Sequence, residues 1–159
     1  MRIGVISDTH LSEPNERLYR LVKHVFVDTD VILHAGDLVS LEVLQVFSDK
    51  HVLSVHGNMD HAEVIAKLPA EDILEVGRMR IGLIHGRGAP WGIEERIRNS
   101  FSNVDAIVYG HTHKAVNHMK DGILYFNPGA FSGTFVMGRN SSVGVLTVSD
   151  RIEGTIIPL

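Results

Sequence analysis

The sequence predicts an α/β domain of two packed mixed sheets with helices on the outside. In the first half of the chain, short apolar runs of strand length alternate with segments whose apolar residues recur at helical spacing. The last third has apolar runs and turn dipeptides but no helical spacing. No linker, repeat or low-complexity tract divides the 159 residues, so we expect one domain spanning residues 1–159.

The first half predicts three parallel strands joined by two helices. Apolar runs at residues 3–6, 31–34 and 51–55 each end in a polar, loop-forming segment. Helical spacing of apolar residues covers residues 18–25 and 41–47 between them. A strand-helix-strand-helix-strand order implies parallel strands connected by right-handed crossovers.

The second half predicts one further helix and a series of mainly antiparallel strands. The helix covers residues 93–101, and a hairpin is expected around Gly77. The dipeptide Asp121-Gly122, between two apolar runs, is a strong hairpin signal. The predicted strands of this half are residues 72–76, 80–84, 105–109, 116–120, 123–126, 134–137, 143–148 and 154–157.

The composition narrows the classes of function. Hydrophobic residues make up 44% and charged residues 21%, as in an ordinary globular domain. There is no cysteine, so any metal ion must be held by imidazole, carboxylate or amide oxygen. The formal net charge of −4 gives no strong signal for nucleic-acid binding, which usually needs a basic surface.

The hydropathy pattern predicts a cytoplasmic protein with no membrane partner. The apolar segment at the N-terminus is interrupted at Ser7-Asp8, too early for a signal peptide. No apolar run reaches the length of a membrane span.

Polar side chains follow five of the predicted strands, each beside a glycine-containing turn or loop. Because ligands of open α/β sheets collect at the carboxyl ends of strands, five such ends lying side by side would surround one cleft. The glycines let the backbone turn sharply near it. The candidate ligands at these ends are Asp8, His10, Asp37, Asn58, His85, His111 and His113.

Each of these residues also has a structural interpretation when taken alone. Asp8 and Asp37 suit turns or helix caps, Gly57-Asn58 is a common turn dipeptide, and His85 could be a core histidine. The joint order and spacing favour a metal site. Carboxylate with imidazole suits Mn, Fe, Zn, Ni or Co, and we expect Mn. Seven ligands suit two ions that share a bridging carboxylate.

The same segments resemble the calcineurin-like metallophosphoesterases. The short length and the N-P-G segment at residues 127–129 are similar to the small prokaryotic YfcE-like phosphodiesterase branch. The motifs that carry the resemblance are D-T-H at residues 8–10, G-D at 36–37, G-N-M-D at 57–60, H-G at 85–86 and G-H-T-H at 110–113.

The resemblance implies a four-layer α-β-β-α sandwich and a dinuclear centre. A hydroxide bridging the two ions would attack the phosphorus of a small phosphate ester in line. The implied ligands of the first ion are Asp8, His10, Asp37 and His113. The implied ligands of the second ion are Asp37, Asn58, His85 and His111, so that Asp37 bridges.

Two departures from the family pattern bear on catalysis. Many relatives carry a histidine in place of Met59, where it helps to protonate the leaving group, so this chain is expected to prefer good leaving groups such as aryl alcohols. His61 is the candidate substitute proton donor. The second departure follows His85, where many relatives carry G-H-x-H or H-G-H and this chain has His85-Gly86-Arg87. Arg87 is either a contact for the substrate phosphate or a solvated loop arginine. With Asn58, these two residues complete the predicted catalytic set.

Three nearby residues are predicted to support the ligands rather than to bind metal. Asp60 should brace the loop that carries Asn58. His34 and His56, which precede Gly36 and Gly57, could each donate a hydrogen bond to a ligating carboxylate.

The alternative to an enzyme is a non-catalytic protein-interaction scaffold on the same fold, as in a retromer subunit that has lost ligand residues. The full set of seven candidate ligands in this chain favours the enzyme. A nucleotide-specific phosphodiesterase would need a base pocket that the sequence does not reveal. The natural substrate is left open, and a homo-oligomer is compatible with the sequence.

Overall fold

A computed structural model of the chain describes residues 1–133 and 141–159. The described residues form two five-stranded mixed sheets and a few short helices. The strand predicted at residues 134–137 lies outside the described residues.

The first sheet has the strand order β10-β9-β1-β2-β3. The three strands from the first half of the chain are parallel, with Ile3 beside Val31 and Val31 beside His51, as the predicted β-α-β-α-β order requires. The last two strands of the chain add to the other edge in antiparallel orientation. Its strands are β1 (Arg2–Ile6), β2 (Val31–His34), β3 (His51–Ser54), β9 (Ser142–Val148) and β10 (Ile152–Pro158).

The second sheet has the strand order β4-β5-β6-β8-β7. The hairpins predicted around Gly77 and at Asp121-Gly122 form its two antiparallel ends, and the pairs on either side of the middle strand are parallel. Its strands are β4 (Glu71–Val76), β5 (Met79–Ile84), β6 (Ala106–Val108), β7 (Val116–Lys120) and β8 (Ile123–Asn127).

Three hydrophobic clusters define the four layers of the sandwich. One cluster joins the facing sides of the two sheets and includes Val5, Leu33, Leu83 and Phe126. Two further clusters cover the outer faces, where helical segments pack on each sheet. The predicted α-β-β-α sandwich with two mixed sheets is therefore confirmed.

One helix begins earlier than predicted, and another was missed. α1 (Glu16–His24) begins at Asn15, whose side chain accepts a hydrogen bond from the backbone N–H of Leu18 at 3.0 Å. α2 (Ala62–Lys67) buries only Val64, so no apolar periodicity marks it in the sequence. Among the described residues no helix has the length and apolar character needed to cross a membrane.

The prediction of an α-helix over residues 41–47 was wrong in type. The segment Leu41–Phe47 is a 3₁₀ helix, with buried Val43 and Val46 three positions apart. That spacing matches the three residues per turn of a 3₁₀ helix.

The helix α3 (Ile93–Arg98) ends earlier than predicted. Phe101 leaves the helical path and packs over Gly82, where a side chain at residue 82 would contact its ring at 3.0 Å.

Candidate metal centre

The five strand ends predicted to carry ligands converge, although they belong to two sheets rather than lying side by side in one. β1, β2 and β3 come from the first sheet, and β5 and β6 from the second. Backbone hydrogen bonds join neighbouring loops: Asp8 donates to the carbonyl of Gly36 at 3.0 Å, and Gly110 donates to that of His85 at 3.1 Å. A Cβ at residue 110 would collide with the Ser7 hydroxyl, so glycine permits the close approach of the two sheets.

Five of the seven predicted ligands adopt left-handed backbone conformations, which are uncommon for residues other than glycine. Such conformations persist when surrounding structure over-determines them, and they cluster at functional sites. These residues are Asp8, His10, Asp37, His111 and His113, with φ angles of 54°, 50°, 55°, 67° and 54°.

Asp8 and two imidazoles form the first cluster. Asp8 is fully buried, and its Oδ1 atom lies 3.0 Å from Nε2 of His113 and 3.9 Å from Nε2 of His10. The two Nε2 atoms face each other at 3.4 Å. The other carboxylate oxygen of Asp8 accepts a hydrogen bond from the Ser7 hydroxyl at 2.5 Å. Three potential ligand atoms therefore surround one point.

The second cluster contains Asp8, Asp37 and His85, all buried. Nε2 of His85 lies 3.2 Å from Oδ2 of Asp37. Nδ1 of His85 donates to the carbonyl of Ala35 at 2.7 Å, because a carbonyl can only accept. In the neutral ring the proton is therefore on Nδ1, and Nε2 carries the free lone pair, as in metal-binding histidines. Asp8 belongs to both clusters.

Two buried atoms at this point support a cation site. Oδ1 of Asp8 and Nε2 of His85 have no hydrogen-bond partner of acceptable geometry among the described residues. Buried polar atoms without a partner are costly in a folded protein. Both are good ligands of first-row divalent metals, so the donor set fits such an ion.

The electrostatics of the clusters favour positive charge. Burial opposes ionisation of Asp37, but the contact with His85 and the backbone N–H of Met59 lower its pKa overall. The contact with Asp8 raises the pKa of His113. Burial disfavours the imidazolium of His85, yet Asp37 and Asp8 raise its pKa. A divalent ion would take the place of protons that these carboxylates otherwise attract.

Asn58 and His111 lie together beside the second cluster. The rings of His85 and His111 are 5.3 Å apart between centroids. Nε2 of His111 donates to the carbonyl of Gly88 at 2.7 Å, which leaves Nδ1 facing Oδ1 of Asn58 at 2.9 Å. In the neutral ring, two acceptor atoms at this distance need a cation between them or a rotated amide.

Asp60 braces the loops after β2 and β3, as predicted. Its carboxylate is buried and accepts from the backbone N–H groups of Asp37 at 3.1 Å, Val39 at 2.5 Å and Gly57 at 2.7 Å. A Cβ at residue 57 would collide with Asp37, so this loop needs glycine to approach the carboxylate.

The supporting role predicted for His34 was wrong in its partner, and the role predicted for His56 stays a prediction. The fully buried His34 contacts Oγ1 of Thr9 at 3.2 Å and accepts from the N–H of Gly36 at 3.3 Å. It therefore ties the β1 loop to the β2 loop instead of touching a carboxylate. Nδ1 of His56 lies 3.4 Å from the carbonyl of Gly57.

The role of Asn127 could not be found from its motif alone. Its buried side chain donates to the carbonyl of Gly110 at 2.7 Å and accepts from the N–H of Gly129 at 2.9 Å. It thus anchors the loop that carries His111 and His113. The N-P-G segment was visible in the sequence, but its partner is 17 residues away.

The structure separates the two residues predicted to assist catalysis. Arg87 is exposed and lines a cavity of about 290 Å³ together with Asn58 and His85. His61 is exposed at the start of α2 and does not line this cavity. Its role as a proton donor stays a prediction.

Comparison of sequences gives a consistent group of relatives. Residues 1–151 match the model of the calcineurin-like phosphoesterase superfamily domain. A probable metallophosphoesterase of Methanocaldococcus jannaschii is 37% identical over 164 residues, covering 100% of this chain and 82% of that protein. A phosphodiesterase of the same organism is 30% identical over 148 residues, covering 84% of this chain and 86% of that protein.

Solved structures share the fold. A structure described as a novel archaeal phosphodiesterase superposes with a TM-score of 0.78 at 26% identity, covering 100% of both chains. Vps29 from Entamoeba histolytica in complex with Zn²⁺ superposes with a TM-score of 0.69 at 23% identity, covering 99% of both chains. The second likeness concerns the fold alone.

Proposed function

The chain belongs to the calcineurin-like phosphoesterase superfamily, and on that premise we propose that it is a metal-dependent phosphodiesterase acting on small phosphate esters. One domain spanning residues 1–159 would carry the activity. The observation that carries the proposal is the pair of buried atoms without hydrogen-bond partners among the described residues, Oδ1 of Asp8 and Nε2 of His85. A phosphodiesterase that is 30% identical supports a diester as the substrate.

Two divalent ions fit the donor set, with Mn as the first candidate and Ni, Fe, Zn and Co as alternatives. When bound, they would lower the pKa of a water for attack on phosphorus and neutralise charge on the phosphoryl oxygens. The proposed ligands of the first ion are Asp8, His10, Asp37 and His113. The proposed ligands of the second ion are Asp37, Asn58, His85 and His111.

Residues behind the ligands would set their orientation before substrate arrives. The carbonyl of Ala35 holds His85 in one ring orientation, with Nε2 toward Asp37. Asp60 holds the loops of Asp37 and Asn58 at a fixed separation. Preorganised charge of this kind contributes most to transition-state stabilisation, because it needs no rearrangement during the reaction.

The residues nearest the scissile ester would determine which esters react. Arg87 lies close enough to the proposed ligands Asn58 and His85 to share one cavity with them, and its guanidinium would pair with a phosphoryl oxygen. Met59 cannot donate a proton, so leaving groups that depart as stable anions are favoured.

The proposal is tested by assaying purified protein on bis(4-nitrophenyl) phosphate with Mn, Ni, Fe, Zn or Co, beside metal binding measured by calorimetry. We expect metal-dependent turnover that is lost in Asp8→Asn and kept in Asp49→Asn, since Asp49 is an exposed aspartate outside the proposed ligand set and the cavity lining. Absence of both turnover and divalent-metal binding would overturn the proposal. That result would favour the non-catalytic scaffold.

A further inference from the structure

A cavity of about 290 Å³ opens beside the proposed metal centre. Two of the proposed ligands, Asn58 and His85, form part of its wall, so the cavity and the centre are continuous. Its size lies just below the range of about 300–1,000 Å³ found for small-molecule pockets. It can therefore take one compact group next to a phosphate held at the centre.

The inner wall of the cavity is apolar. Ile84, from the end of β5, and Ile97, from α3, line it, and Ile97 is only 2% exposed. Ala70 adds a small side chain at the rim. Burial of a hydrocarbon surface against these side chains would be favourable, since apolar contact removes water from both partners.

One of the two arginines that line the cavity already forms hydrogen bonds within the protein. The guanidinium of Arg96 donates to the carbonyls of Arg87 at 3.1 Å and of Trp91 at 3.0 Å, and also to that of Ala89. It thereby holds the loop that forms one side of the cavity. These bonds leave Arg96 poorly placed to receive a second anionic group of the substrate.

The remaining charged groups of the lining are one arginine and one glutamate. Arg87 has no ion pair or hydrogen bond through its side chain among residues 1–133 and 141–159, so it is free to meet the phosphate. Glu71 opposes any negatively charged group that enters the cavity. Once Arg87 pairs with the phosphate, the opposite charges of Arg96 and Glu71 balance, so the rest of the lining suits an uncharged group.

We propose that this cavity is the subsite for an uncharged, ring-sized group of the phosphate ester. This inference rests on the proposed function. The phosphate lies at Asn58, His85 and Arg87, and the ring lies against Ile84 and Ile97. Substrates with a compact apolar or aromatic group are preferred over those whose second group is small or anionic.

The test uses phosphonates, which are not hydrolysed, so that binding is measured without turnover. Calorimetry on the Mn-loaded protein compares phenylphosphonate with methylphosphonate and phosphonoacetate. We expect phenylphosphonate to bind about tenfold more tightly than either of the others, as suits burial of one ring. In Ala70→Phe, whose added ring fills the cavity, we expect phenylphosphonate and methylphosphonate to bind about equally well. The affinity for methylphosphonate itself should be unchanged.

The matched control is Ala66→Phe, which adds the same ring to an exposed position of α2 outside the cavity and keeps the tenfold preference. Ser100→Phe fills the cavity from another side and repeats the test if Ala70→Phe does not fold. Equal affinity of wild-type protein for phenylphosphonate and methylphosphonate, or tighter binding of phosphonoacetate, would overturn the subsite alone. No binding of any phosphonate would overturn the proposed function with it.

Discussion

The carboxylate of Asp60 accepts a hydrogen bond from the backbone N–H of Asp37 at 3.1 Å, across 23 residues of sequence. The same carboxylate accepts from Val39 and Gly57, so it joins the loops that follow β2 and β3. Asp37 and Val39 have φ angles of 55° and 78°, and Val39 is a β-branched residue for which this is rare. These bonds offset part of the cost of that backbone conformation.

Asp60→Asn should destabilise the metal-free protein by about 1–3 kcal/mol, because an amide can accept on only one of its two terminal atoms. At least one of the three N–H groups, two of them buried, would then lose its acceptor. The free energy of unfolding is measured by urea denaturation, and Mn affinity is expected to fall with it.

The control for this prediction is Asp105→Asn. Asp105 also accepts a hydrogen bond from a backbone N–H, that of Arg80 at 2.7 Å, but at an exposed site where water can replace the carboxylate. Its substitution should change stability by less than about 0.5 kcal/mol. Similar losses in both variants would show that Asp60 has no special bracing role.

Asp37→Asn should reduce phosphodiesterase activity more than Asn58→Ala does. Asp37 is buried and is the proposed bridge between two ions, whereas Asn58 is exposed and would contact one. The rates are measured on bis(4-nitrophenyl) phosphate at saturating Mn. Comparable residual rates would contradict the bridging assignment and point to Asp8, which belongs to both clusters.

Much of this centre was predictable because its residues occupy strand ends. The apolar runs at β1, β2 and β5 indicate where each strand stops, and the polar residue that follows must lie at that edge of a sheet. Asp8 and His113, separated by 105 residues, follow strands of different sheets, so their contact depends also on how the two sheets pack together.

Contacts that depend on side-chain direction were not predictable. The sequence places His34 beside Gly36 but does not say that its ring faces Thr9 on the neighbouring strand's loop. Similarly, Arg96 reads as a solvated residue of a helix, and its three carbonyl partners exist only because the loop at residues 87–91 bends around it. The path of that loop depends on tertiary packing and not on local propensity.

Mn should stabilise the folded protein more at higher pH. Contacts with Asp37 and Asp8 raise the pKa values of His85 and His113, so protons compete with the metal for these imidazoles as the pH falls. For the metal-free protein, the stability from these protonated groups is complete below the unfolded pKa of 6.5 and is lost as pH rises through the folded values.

The expected gain in stability is about 2.7 kcal/mol when free Mn is 100 times its dissociation constant. Melting temperatures with and without Mn are compared at pH 6 and pH 8, with Mg as a second ion. A shift that does not grow with pH would mean that the two imidazoles do not bind the ion.

His34 should make the metal-free protein sensitive to acid. Burial lowers its pKa from 6.5 to about 4, so the unfolded state binds a proton between these values while the folded state does not. Stability from neutral His34 is therefore complete above pH 6.5 and is lost as pH falls toward 4, by about 3 kcal/mol in total. His34→Gln should remove this contribution. The unfolding free energy of the variant should therefore change less across this pH range than that of the wild type.

Urea denaturation between pH 7 and pH 4.5 measures the effect. His51→Gln is the control, because His51 is exposed on β3 and should follow the wild-type curve. An equally steep acid loss in His34→Gln would assign the sensitivity to another group.

Met59→His should widen the range of leaving groups. The backbone N–H of Met59 donates to Oδ1 of Asp37 at 2.7 Å, and its side chain is 59% exposed, so an imidazole there would lie at the rim of the centre with access to solvent. A general acid lowers the barrier most for leaving groups that are poor anions. We expect kcat/KM to rise about 10- to 100-fold for unsubstituted phenyl diesters, and to change little for nitrophenyl diesters.

The measurement is the dependence of kcat/KM on the leaving-group pKa across a series of substituted phenyl phosphodiesters. The slope should be steep in the wild type and shallower in Met59→His, because protonation in the transition state reduces the charge on the departing oxygen. Met59→Gln, which removes the thioether without adding an acid, should keep the steep slope. Parallel lines for all three proteins would mean that another group, such as His61, already supplies the proton.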